Sequence, residues 1–242
     1  MEYNIESFGM SDQGLVRQNN EDVFEALIEK NFFALADGMG GHNAGEIAAS
    51  LAIQFVCQKI NEADLSLSAE EMGQYLRQAL AQANAHIWGH SLQDPHYLGM
   101  GTTLCCFMIH DESLIYAHVG DSRLYRFRGN LELITRDHSL RASLEDKGEV
   151  ENGKGLPYKH VITRALGTTS HVMPDIGILS ILPNDIYFLC SDGLSDMVPD
   201  STIEAILKVA PKISLAVPVL IQAALEKGGN DNITVLMVKI NN

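Results

Sequence analysis

Between Thr102 and Thr135 the chain runs TTLCCFMIH, LIYAHV, LYRFRG and LELIT, four strand-like stretches separated only by turns containing Asp111-Glu112, Gly120-Asp121 and Gly129-Asn130. Connections this short leave no room for a crossover helix. Strands joined so tightly run antiparallel, because a parallel pair needs a dozen or more connecting residues. The turn residues are those of hairpins, so the stretch reads as a four-strand meander. This feature argues against a fold of alternating strands and helices. Further strand-like runs precede it (YNIESF, DVFEALI, FFALA) and follow it (HVMPDIGIL, DIYFLC, NITVLMVKI). Helical signals come in two blocks. In the first, Asn43 and Glu46 form a capping-box pattern ahead of Ile47, Leu51 and Phe55, which recur four apart. Ser68 and Glu71 repeat it ahead of Met72, Leu76, Leu80, Ala83 and Ile87. In the second, Ser201 and Glu204 cap a short helix, and another spans about Ser214 to Lys227, closed by Gly228. Strand groups with segregated helices point to an α+β fold of antiparallel sheets covered by helices.

The 242 residues suit a single domain, 1–242, with a sizeable core. No apolar run of ~18 residues appears, so no membrane span is expected. The first residues, MEYNIESFGMSDQG, lack the basic segment and apolar core of a secretory signal. All four cysteines, Cys57, Cys105, Cys106 and Cys190, sit in apolar runs and none forms a CxxC pair. They read as buried free thiols of a cytoplasmic protein. Lys and Arg number 17 against 31 acidic residues, a net charge of −14, which argues against a nucleic-acid groove. The basic RLYRFRG alternates charged with apolar residues, as a half-exposed strand does.

Three apolar runs each stop at an aspartate: FFALA at Asp37-Gly38, YAHVG at Asp121-Ser122, and YFLCS at Asp192-Gly193. A fourth, Asp231, follows GGN and precedes ITVLMV. In antiparallel sheets strand ends lie beside strand starts, so the four can meet on one rim. Any one of them alone reads as a turn. Together they pose an electrostatic problem, since two like charges ~4 Å apart repel by roughly 4 kcal/mol near a protein surface. Such a cluster either retains protons at a cost or holds cations. All-oxygen ligands favour Mg²⁺ or Mn²⁺ over zinc. With no side chain at Gly38, its carbonyl is free to approach the same ion.

Competing motifs fail. GGHNAGE has Glu46 where a phosphate-binding loop needs lysine. His86 and His90 lie four apart, but Ile87 stands where a zincin helix needs glutamate. SDGLS is not a G-x-S-x-G elbow. RQNNED, residues 17–22, places Arg17 just ahead of two acids. A guanidinium fork suits two phosphate oxygens, and beside a metal rim it suggests phosphoryl chemistry.

The segments RQNNED, ADGMGGH, GTTL, HVGDSRLY, TRDHSL with ITRALG, CSDGLSD and GGNDNIT occur in one order across almost the whole chain. In that set and order the chain resembles the metal-dependent serine/threonine protein phosphatases, the PPM or type 2C family, in its bacterial single-domain form. The resemblance implies two packed antiparallel sheets with helices on both outer faces. It implies two Mn²⁺ or Mg²⁺ ions in a cleft at one end: Asp37 bridging them, the Gly38 carbonyl on one, Asp192 and Asp231 on the other. Asp121, with Asp192, matches a third-metal position, Arg17 the phosphate-binding arginine, and Glu21 and Asp22 the acids behind the metal ligands. Hydrolysis by direct attack of a metal-bridging hydroxide is implied. So are phosphorylated protein substrates, a cognate serine/threonine kinase, a monomer, and neither nucleic-acid nor membrane partners. Some members have histidine after the Asp-Gly as general acid. Here that residue is Met39, and His42 is the substitute. The flap corresponds to residues 139–160. A small phosphorylated molecule or nucleotide remains the alternative substrate class.

Overall fold

The computed structural model describes residues 4–40, 44–148 and 161–241. Two antiparallel sheets form its centre. One has β1 (Asn4–Asp12), β11 (Ile233–Asn241), β10 (Ile186–Cys190), β7 (Arg123–Phe127) and β8 (Leu131–Leu133), in that spatial order. The other runs β2 (Asp22–Leu27), β3 (Phe32–Met39), β5 (Leu104–His110), β6 (Ser113–Val119) and β9 (Asp175–Ser180), with β4 (Gly101–Thr102) paired to the end of β3. Helices α1 (Ala44–Glu62) and α2 (Ala69–Ser91) cover the second sheet. Short α4 (Asp192–Ser195), α5 (Asp200–Val209) and α6 (Ile213–Glu226) cover the first. A further helix, α3 (Leu140–Asp146), lies in the segment between β8 and β9. No helix among the described residues is long and apolar enough to cross a membrane.

The period-two geometry of strands explains why so many of these runs are continuously apolar. Phe33 and Leu35 of β3 face inward and pack with Phe107 of β5, Tyr187 and Leu189 of β10 and Leu236 of β11. Phe32, Ala34 and Ala36 face the opposite way, into the layer formed with α1 and α2. Phe188 and Cys190 of β10, with Val235 and Met237 of β11, do the same beneath α5 and α6. A sheet buried on both faces has no polar side to show.

Several sequence expectations change in the structure. The Thr102–Thr135 stretch is not one meander. β5 pairs with β6, and β7 pairs with β8, but β6 and β7 belong to different sheets. The chain changes sheet at Gly120-Asp121-Ser122, where Gly120 has φ +110° and an added Cβ would stand 2.6 Å from the Thr103 Cβ. The buried stripe of α1 is Ala48, Ala49, Ala52, Ile53, Val56 and Ile60; Ile47, Leu51 and Phe55 flank it, half-buried. Small side chains let the helix lie close on β3. The Ser68–Glu71 capping box forms as expected, whereas α5 begins one residue before Ser201, after Pro199. The other proposed cap residue, Asn43, lies outside the described residues. So do positions 149–160 of the flap. Cys105, Cys106 and Cys190 are buried and Cys57 half-buried, all four unpaired.

Candidate active site

The ends of both sheets meet at one edge of the sandwich, and there the chain gathers its acids. Asp37 sits near the end of β3, where Asp22 of β2 is its register partner. Its backbone is fixed on both sides. The Asp37 N–H donates to Thr103 Oγ1 at 2.9 Å, and the Asp37 carbonyl accepts from the Thr103 N–H and the Thr102 hydroxyl, both at 2.9 Å. Thr103 Oγ1 also lies 2.7 Å from Ser122 Oγ, beside Asp121. The Gly38 N–H donates to the Glu21 carbonyl at 3.1 Å.

The other sheet supplies Asp192 and Asp231. β10 and β11 pair antiparallel with Cys190 opposite Val235, so the residue opening α4 after β10 lies beside the loop entering β11. Asp231 accepts from the Asn232 N–H at 2.9 Å and from the Arg17 guanidinium at 2.6 Å. Arg17, Glu21, Asp37, Gly38, Asp192 and Asp231 all line one cavity of about 460 Å³, together with Asp196 and Asn232. Asp121 lines a smaller adjoining cavity that also touches Asp192 and Asp196. Asp22 is buried behind the larger one, accepting from Ser191 Oγ at 2.8 Å and Thr234 Oγ1 at 2.6 Å. His42, the candidate acid, lies outside the described residues.

Five carboxylates and one guanidinium line the larger cavity among the described residues. The Asp37 and Asp192 carboxyls are held well above the usual range, first by burial, then by repulsion from neighbouring aspartates. Burial likewise pushes Asp121 up to about 6, reinforced by Asp137. Asp22 is also pushed up to about 6 by burial, against the opposing hydrogen bonds from Thr234 and Ser191. The hydrogen bond to Asp231 holds Arg17 firmly protonated, so the expected phosphate handle is engaged with an acid at the cavity. Oδ1 atoms of Asp22 and Asp121 are buried without a hydrogen-bond partner among the described residues. Repelling carboxylates, an all-oxygen donor set and unpartnered buried oxygens fit hard divalent cations.

Sequence reasoning overlooked the residues that hold these acids in place. Asn232 is 5% exposed and ties three segments together. Its Oδ1 accepts from the Glu21 N–H, and its Nδ2 donates to the carbonyls of Gln13 and Asn19, all at 2.9 Å. Ser191, Thr234 and Thr103 act similarly. Asp196 was also missed, although its spacing of four from Asp192 in SDGLSD puts both on one side of a helical turn.

The family profile described as protein phosphatase 2C matches residues 13–220, most of the chain. The chain belongs to the protein phosphatase 2C family. It is 38% identical over 237 residues to the serine/threonine phosphatase stp of Listeria welshimeri, covering 96% of this chain and 94% of that one. It superposes on the crystal structure of the Mycobacterium tuberculosis serine/threonine phosphatase PstP/Ppp with a TM-score of 0.91 at 36% identity, covering 98% of this chain and 99% of that one. The catalytic domain of serine threonine protein phosphatase PstP in complex with two manganese ions matches with a TM-score of 0.88 at 36% identity, covering both chains fully. The sandwich with helices on both outer faces is therefore the protein phosphatase 2C fold, as the sequence motifs implied.

Proposed function

We propose that this chain is a metal-dependent protein phosphatase that hydrolyses phosphoserine and phosphothreonine. The observation that carries the reading is the convergence of Asp37, Asp192 and Asp231 from two sheets on one cavity shared with Arg17. Asp37, the Gly38 carbonyl, Asp192 and Asp231 would hold two Mn²⁺ or Mg²⁺ ions, and Asp121 with Asp192 a third. Bound there, such ions activate water and offset phosphate charge. The protein's own groups do the rest. Thr102 and Thr103 fix the backbone from which Asp37 projects. Arg17 supplies a forked donor to the phosphate oxygens, exchanging Asp231 for substrate. Glu21 lines the cavity and Asp22 braces Ser191 and Thr234 behind it. The proton needed by the departing serine or threonine oxygen is assigned to His42, two residues beyond Gly40. We assign the protein to the bacterial cytoplasm, where four unpaired cysteines are at home, as a monomer opposing a serine/threonine kinase. All of 1–242 is assigned to one catalytic unit, which the pairing of Asn4 with Asn241 supports.

The test compares p-nitrophenyl phosphate, a phosphothreonine peptide and nucleoside monophosphates, with Mn²⁺ and after chelation. Metal-dependent hydrolysis of the first two is expected. Asp37→Asn and Asp192→Asn should each lower it on the order of a hundredfold or more. Either variant keeping most of its activity would remove the dimetal assignment. Cleavage of nucleotides but not peptide would move the enzyme to a different substrate class.

A further inference from the structure

Asp121 lies in the link 120–122, where the chain crosses from β6 in one sheet to β7 in the other. Its Oδ1 is buried, and nothing among the described residues bonds it. The carboxylate therefore stands where the backbone of the link puts it. Two adjacent residues, Asp137 and His138, hold that backbone at either end. Asp137 takes the Arg123 guanidinium in a fork, Oδ1 accepting from Nε at 2.9 Å and Oδ2 from Nη2 at 2.7 Å. His138 grips Gly120 twice. Its N–H donates to the Gly120 carbonyl at 2.9 Å, and its Nδ1 accepts from the Gly120 N–H at 3.1 Å. Gly120 is buried, so its N–H has no solvent partner in reserve.

The His138 ring is itself locked. With Nδ1 accepting, Nε2 carries the proton and donates to Asp175 Oδ2 at 3.1 Å. The Arg164 guanidinium holds Asp175 in turn, donating to its Oδ1 at 3.0 Å. The ring stacks on His118 with 4.5 Å between centroids, and the Thr163 N–H donates to the His138 carbonyl at 2.8 Å. His118, His138 and Asp175 lie close enough together to share a cation. Both nitrogens of His138 are engaged, however, and Arg164 stands 3.1 Å from Nε2, a positive charge where the ion would sit. The cluster is a clamp rather than a metal site.

We infer that His138 is the positioning residue for Asp121: through Gly120 it fixes how the Asp121 carboxylate enters the cavity shared with Asp192 and Asp196. This rests on the reading of Asp121 as a ligand of a third ion. Loss of a group that supports a metal ligand costs on the order of 10–100-fold in metal affinity or activity, and support given through a neighbour's backbone belongs at the lower end.

The experiment compares His138→Phe with His138→Asn. Phenylalanine keeps a ring to stack but offers Gly120 no acceptor, whereas asparagine places Oδ1 where Nδ1 stands. Mn²⁺ binding is followed by calorimetry, and amide exchange of the metal-free protein by NMR. In His138→Phe the third Mn²⁺ should bind about tenfold more weakly with the two tight sites unchanged. Its Gly120 amide should exchange about tenfold faster relative to that of Met237 in β11. In His138→Asn both readouts should stay within about threefold of wild type. Wild-type third-site affinity in His138→Phe overturns the assignment, as does an asparagine variant as impaired as the phenylalanine one. Where phenylalanine prevents folding, Asp175→Ala at a half-exposed position frees the ring instead, and unchanged third-site affinity there overturns it too. If Asp121→Asn leaves the Mn²⁺ stoichiometry intact, the third-ion reading has failed. Gly120 exchange then decides the clamp by itself, and an unchanged rate in His138→Phe overturns it.

Discussion

Gly38 offers a sharp test of how the site is built. A methyl group added there would stand 2.2 Å from the Gly45 carbonyl oxygen, 2.4 Å from the Gly45 carbonyl carbon and 2.9 Å from the Glu21 carbonyl oxygen. Ordinary contact begins at 3.4 Å, so the worst overlap is roughly 1.2 Å. All three atoms are backbone, so no rotamer change relieves the clash. Either the start of α1 lifts from β3 or the end of β3 moves. Overpacking of this kind costs typically 1–3 kcal/mol, and rigid backbone on two sides puts Gly38→Ala at the upper end. The reduced freedom of the unfolded chain returns ~0.4–1 kcal/mol, leaving a net loss of about 2 kcal/mol. The substitution keeps the carbonyl and every carboxylate, so lost activity reports displacement rather than a lost ligand. Urea unfolding of the metal-free protein should show the loss. Titration with Mn²⁺ followed by p-nitrophenyl phosphate hydrolysis should show weaker metal dependence and at least a tenfold lower rate. Gly89→Ala is the control: an exposed position in α2 with nothing within 4 Å of the added methyl should gain ~0.5–1 kcal/mol. A Gly38→Ala protein within 0.5 kcal/mol of wild type and with unaltered Mn²⁺ dependence would refute the close-approach argument.

Arg17→Ala should raise KM more than it lowers kcat, and its exposed ion pair with Asp231 should contribute less than ~1 kcal/mol to stability; a pure kcat effect would place Arg17 on the transition state instead. Asp121→Asn should keep two tight Mn²⁺ sites and weaken a third, so unchanged stoichiometry and rate by calorimetry and assay would show the third position unused. Asp22 governs a pH effect in the metal-free protein. Its folded pKa of about 6 lies above its ordinary 3.8, so the native state binds the proton more tightly. That contribution is fully present below pH ~4 and is lost as pH rises through 6, on the order of 2–3 kcal/mol. Asp22→Asn should reduce the pH dependence of the urea midpoint across that window, the remainder coming from the raised carboxyls of Asp37, Asp121 and Asp192, and an unchanged slope would mean that the buried carboxyl titrates normally.

What the sequence made legible was the chemistry at strand ends. An apolar run that stops at a carboxylate cannot bury that charge without cost, so Asp37, Asp121 and Asp192 stood out in the sequence, with Asp231 at the start of its strand beside them. Partnership between strands was less legible. Alternation marks the two faces of a strand but not its neighbours. β6 is largely buried and β7 buries Leu124 and Tyr125 at its centre, and nothing in GDS distinguishes a hairpin from a change of sheet. The error had a consequence for the site. The rim was expected from strand ends within a sheet, which holds for Asp192 and Asp231 alone. Asp37 comes from the second sheet, and Asp121 from the strap joining the two.

Adjacent acids show the same limit at the scale of one residue. Glu21 and Asp22 are equivalent in RQNNED, yet side chains of successive extended residues point opposite ways. Glu21 faces the cavity, while Asp22 turns into the protein against Ser191 and Thr234. Its second oxygen is left without a hydrogen-bond partner among the described residues, and its carboxyl is raised by burial. Asp22 is buried outside the lining of the larger cavity and acts through what it holds in place. Asp22 pairs with Asp37 across β2 and β3, and grips Ser191, next to Asp192, and Thr234, three residues beyond Asp231. It joins the two sheets at the point where their acid-bearing ends must stay in register.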